Sequence, residues 1–130
     1  MMKTEVLMLG LSVLLGLLQI VLPTLGPVSD RGLRWALGPR DALYPPVAGV
    51  WGRLDRALRN FLETFPLFAA CLLAVIAIGK TNALTILGSE LYFWARLFYV
   101  PTYAFGIPIL RTLLWLVSVV GILFLVVALL

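Results

Sequence analysis

A chain of 130 residues, 62% hydrophobic and 12% charged, with a mean hydropathy of +1.08, falls outside the range of a water-soluble domain. It reads as an all-α integral membrane protein with room for about four spans of roughly 20 residues and no separate soluble domain. The single cysteine, Cys71, excludes an internal disulfide framework, and the absence of histidine removes the commonest general base and the usual nitrogen ligand of zinc, copper or haem, so no metal site is expected. The net charge of +4 comes from arginines near the membrane boundaries, which points to topology and anionic ligands and away from nucleic acid.

The first span is expected over residues 6–25, where Gln19 is the only strongly polar side chain. Lys3 ahead of an apolar stretch suggests a cleaved signal peptide, but the stretch is too long and lacks a small-x-small cleavage site. Residues 26–52 carry glycines, four prolines and mixed charge, which is loop chemistry. A second span is expected over 54–79. Its uncharged part, TFPLFAACLLAVIAIG, is too short to cross unaided, so the polar turns before it must be included. KTNA reads as a turn, followed by a third span over 83–105 carrying Glu90 and Arg96 and a fourth over 108–130 that is uncharged after Arg111. The whole chain, 1–130, then forms one four-helix membrane unit. Arg31, Arg34, Arg40 and Arg53 crowd the first loop, against Lys3 and Lys80 elsewhere, so the first loop (about 26–53) should face the cytoplasm and both termini the other side.

Helical spacing sorts the polar residues. Arg56, Asn60 and Glu63 stand at offsets that fall within an arc of about 60°, with Arg53 flanking that stripe and Arg59 rotated to its other side. Tyr92, Arg96, Tyr99 and Tyr103 form a second stripe. The proposed topology puts Arg56, Asn60, Glu63, Arg96, Tyr99, Tyr103 and Arg111 in one leaflet. Facing lipid would cost several kcal/mol per charge, so a basic cavity open to the cytoplasmic half of the bilayer and rimmed by tyrosine hydroxyls is expected. Glu63 could instead pair with an arginine merely to hold helices together, but the arginines of this layer outnumber its one carboxylate, and a bound anion satisfies the remainder. Tyr92 and Trp94 read equally well as packing or interfacial anchors, Pro66 and Pro101 as helix kinks, and Glu90 acquires no role.

The stretch RALRNFLETFPLF resembles the R-A-x-x-N-x-x-E-x-x-P signature of the MAPEG family, the membrane-associated proteins in eicosanoid and glutathione metabolism. Arg56, Ala57, Asn60, Glu63 and Pro66 match it, and Arg53 fits the basic position upstream. ARLFYVPTYAFGIPILRTLLW is similar to the family's second conserved region, with Arg96, Tyr99 and Tyr103 in matching spacing and Arg111 close behind. Together with the chain length and the four spans, the resemblance covers nearly the whole chain and suits a compact bacterial-type member.

The resemblance implies a homotrimer that binds glutathione between subunits. Arg56, Asn60 and Glu63 would hold the tripeptide from one side, Arg96, Tyr99 and Tyr103 from the other, and Arg111 would stabilise its thiolate. Thr64 stands where some conjugating members carry a tyrosine. The implied activity is a membrane glutathione transferase, extending to peroxidase chemistry, that detoxifies lipophilic electrophiles arriving through the bilayer. The alternatives are a non-catalytic member of the family that binds lipid or glutathione, and a plain helical scaffold held by ion pairs.

Overall fold

The computed structural model describes residues 3–130 and contains five helices: α1 (Thr4–Arg31), α2 (Leu33–Leu37), α3 (Gly49–Ala77), α4 (Ala83–Ala104) and α5 (Pro108–Leu129). The extra helix relative to the expected four is α2, a short piece inside the first loop. By length and composition α1, α3 and α5 can each cross a membrane. The 22 residues of α4 would extend about 33 Å, but Glu90 and Arg96 interrupt its apolar sequence, and it does not meet the same composition standard as the other three. The chain is thus a helical integral membrane protein.

Two helices overrun the apolar stretches that mark them in the sequence. α1 continues through Pro23 and Pro27 to Arg31, and α3 begins at Gly49, ahead of its first arginine. A proline inside a helix removes one N–H and frees one carbonyl, and near a membrane surface water can satisfy that carbonyl, so the helix need not stop.

Leucines and valines cover the outside, with Leu14 61% and Val127 64% exposed. The interior holds the apolar cluster Leu15, Phe61, Phe68, Leu72, Tyr92, Val100, Ile122 and Leu125. Ser12, Gln19, Thr64, Thr85, Ser89, Arg96 and Ser118 are buried with them. Polar side chains turn inward because the surrounding lipid offers them nothing. Ser89 and Ser118 donate to the carbonyls of Ile86 and Trp115 on their own helices, at 2.8 and 2.6 Å.

Two devices position the site. The first is a close crossing of α4 and α5 at Gly88 and Gly121, where a Cβ added to Gly121 would lie 2.6 Å from the Gly88 carbonyl oxygen and 2.9 Å from the Tyr92 nitrogen. The second is a ladder between antiparallel α3 and α4. Arg53 Nε donates to the Ala104 carbonyl at 2.8 Å, Arg96 Nη1 donates to Asn60 Oδ1 at 2.7 Å, and the Thr64 and Tyr92 hydroxyls lie 3.1 Å apart. At the opposite end, Asn82 and Thr85 form a capping box that starts α4, and the Thr85 hydroxyl also donates to the buried Glu5 carboxylate at 2.8 Å.

Candidate functional site

α3 brings Arg56, Arg59, Asn60 and Glu63 to one wall of a cavity of about 390 Å³. α4 supplies Tyr99 and Tyr103, and α5 supplies Arg111, Thr112 and Trp115. The Arg56 stripe and the Tyr99–Tyr103 part of the second stripe therefore meet in one place, joined by the first turns of α5.

Tyr103 is flanked by two guanidiniums, with the Arg111 Cζ 4.7 Å and the Arg56 Cζ 6.0 Å from its ring centroid. Such contacts hold cations over an aromatic face without neutralising them, so their charge stays available to a ligand. Tyr99 packs 5.6 Å from Tyr103, ring centre to ring centre.

Among the described residues the only ion pair is Arg59 with Asp55, at 3.0 Å on the exposed side of α3. Glu63 has no ion-pair partner within the chain, so it is not spent on holding these helices together. The lining thus presents three guanidiniums, from Arg56, Arg111 and the Asp55-paired Arg59, and a single carboxylate. That set fits an anion carrying more than one negative group and one positive one.

Arg96 occupies a different position from its neighbours on the stripe. It is 1% exposed, does not line the cavity, and lies between the rings of Phe61 and Tyr99, at 5.6 and 4.3 Å. One of its nitrogens holds Asn60, while Nε and Nη2 have no partner. It meets the cavity through Asn60, whose carbonyl it fixes. Tyr92, one turn further along, belongs to the core, stacked on Phe68 at 4.0 Å and bonded to Thr64. Thr64 directs its hydroxyl to Tyr92 and to the Phe61 carbonyl and stays out of the cavity. Arg53 also stands apart, as the clamp on Ala104. Glu90 lies in a separate apolar groove with Trp94 and Phe98.

Three lining residues are not among the site residues expected from the sequence. Arg59, which helical spacing puts at the other flank of the Arg56 stripe, reaches both this cavity and a second one on the α1 side of α3. Trp115 follows Arg111 by four residues, a spacing that places it beside Arg111 on α5 and is a signal in the sequence, whereas Thr112, the next residue, is about 100° away around the helix and has no such signal.

No curated protein matches the chain. Residues 8–130 match the MAPEG family, and with nearly its full length covered the chain belongs to that family.

Proposed function

We propose that the protein is a membrane glutathione transferase, joining the thiolate of glutathione to lipophilic electrophiles drawn from the bilayer. The observation that supports this most strongly is the meeting of Arg56, Arg59 and Arg111 with the single carboxylate Glu63 in one cavity, without an ion pair among them. Glutathione carries two carboxylates, one ammonium and a thiol. In this reading Arg56 and Arg59 bind carboxylates, Glu63 receives the ammonium, and Asn60, held by Arg96, meets the peptide groups.

The tyrosine hydroxyls of Tyr99 and Tyr103 complete the polar lining, and Arg111 faces the sulfur. A fixed cation in a dry site favours the thiolate, the form that acts as nucleophile, and no histidine is needed. The thiol proton passes to water. The sulfur then forms a bond to the electrophilic carbon, and the leaving group departs with its electron pair. Trp115, beside Arg111 on the cavity wall, offers an aromatic face to the electrophile.

Binding of glutathione to detergent-purified protein, followed by turnover of a general aromatic electrophile, tests this reading. Arg56→Leu and Glu63→Gln are each expected to weaken glutathione binding, Arg56→Leu by about 1.5 kcal/mol or roughly tenfold. Unchanged affinity in both folded variants would return these residues to a structural role.

The same reading includes four membrane crossings, with α4 as the third, a cytoplasmic first loop and assembly as a homotrimer. Detergent-corrected mass should correspond to three copies, and a cysteine placed at Arg34 should react only from the cytoplasmic side of sealed vesicles. A monodisperse monomer that binds glutathione, or labelling of that cysteine from the other side, would contradict it.

A further inference from the structure

We infer that the protein carries a second ligand site, for an anionic phospholipid of its own bilayer, and that Arg56 couples this site to the first cavity. The coupling rests on the glutathione reading above; the lipid site does not.

A second cavity, of about 530 Å³, lies between the last turns of α1, the first loop and the start of α3. It is within the size range of small-ligand sites. Ile20, Pro23, Pro27 and Val28 of α1 and Leu58 of α3 make its wall apolar, suited to the upper part of an acyl chain. At its rim stand Arg40, Arg56 and Arg59, against the one carboxylate of Asp55, which is already paired with Arg59.

Arg40 is the most committed of these cations. Its Nε and Nη2 both donate to the Ala36 carbonyl, at 3.2 and 2.8 Å, and its guanidinium lies 5.0 Å from the Trp35 ring centre. Those contacts fix its position while leaving other N–H groups free to meet a phosphate. With Asp55 and Arg59 paired to each other, and the Trp35 ring already covered by Arg31 and Arg40, the uncompensated charge at the rim is that of Arg40 and Arg56, so the charge balance selects an anionic headgroup over a zwitterionic one.

The loop also fits a membrane surface. Leu33, Leu37 and Leu43 are 65%, 80% and 101% exposed beside Arg34 and Arg40, a pairing of apolar and basic side chains that favours the headgroup boundary. A lipid phosphate would then reach the rim from the same layer in which the loop rests.

Arg56 and Arg59 line both cavities. A phosphate that draws the Arg56 guanidinium to one side leaves less of it for a carboxylate on the other, so the two ligands oppose each other, and the opposition is reciprocal.

The experiment uses the full chain in nanodiscs of phosphatidylcholine alone or with phosphatidylglycerol. Native mass spectrometry of protein released from the mixed discs should show phosphatidylglycerol retained in preference to phosphatidylcholine. Arg40→Gln should abolish that preference, Arg40→Lys should keep it, and Asp55→Asn should strengthen it. Equal retention of the two lipids, or full retention by Arg40→Gln, overturns the site; displacement by millimolar glycerol phosphate shows a soluble phosphate site and overturns the lipid assignment.

For the coupling, phosphatidylglycerol should weaken glutathione binding about fivefold. Arg40→Gln should remove this dependence while leaving affinity in pure phosphatidylcholine unchanged. Selective lipid retention with no effect on glutathione affinity overturns the coupling, whereas selective retention with no glutathione binding in any disc supports the lipid site and sinks the transferase reading.

Discussion

Arg111→Ala is expected to slow conjugation at neutral pH by about eight- to twenty-fivefold, through a rise of about one to two units in the thiol pKa of bound glutathione, back to the free value. A free thiol titrates near 8.5, so at pH 7 only a few per cent of it is nucleophilic, and each unit of depression by a neighbouring cation raises the thiolate fraction up to tenfold until ionisation is complete. The rate of the variant should therefore recover as pH is raised, because thiolate then forms without help. Glutathione affinity should fall less than in Arg56→Leu, since most of it comes from carboxylates and ammonium. Ultraviolet absorbance of the thiolate during a pH titration of the complex reads the effect directly. A wild-type complex whose thiol pKa is not lowered, or equal turnover without Arg111, would favour the binding-protein alternative over the transferase.

The largest effect on stability is expected from Gly121→Val, a loss of at least about 3 kcal/mol. The added Cβ would meet the Gly88 carbonyl oxygen at 2.6 Å and the Tyr92 nitrogen at 2.9 Å, and both are main-chain atoms that cannot swing away. α4 and α5 would have to separate, moving Arg111 relative to Tyr99 and Tyr103. Gly10→Ala provides the control: nothing lies within 4 Å of its added Cβ, so the change should be neutral or slightly stabilising. Thermal unfolding in one detergent compares the two, and an unaltered midpoint in Gly121→Val would mean that the helices do not cross at these glycines.

The parts of the site that were legible in the sequence are those governed by the geometry of a single helix. Arg56, Asn60 and Glu63 share a face because of the residues-per-turn of any α-helix, and the same holds for Tyr99 and Tyr103. Their meeting in one cavity depends on how helices pack. Gly121 sits in the uncharged run of α5, where nothing marks it as the residue that lets α5 approach α4 and carry Trp115 to the wall. Arg96 shows a different limit: periodicity assigned it to the tyrosine stripe, but a stripe is wide, and the edge nearest α3 is buried behind Asn60. In the first loop, proline and glycine content concealed α2 and the last turns of α1, because those signals describe what stops a helix in water, and the membrane surface changes that balance.

The ladder of Arg53, Asn60 and Thr64 against Ala104, Arg96 and Tyr92 bears on what binding costs. Its rungs join two of the helices that line the cavity, so they act as a caliper whose jaw opening is set when the chain folds. A ligand entering between the jaws does not have to assemble them, and the entropy of ordering Asn60 is spent before it arrives. The gap then works as a gauge of width: a molecule broad enough to touch both the polar side chains of α3 and the tyrosines of α4 gains from each, while a slimmer one with the same charges must give up contact with one.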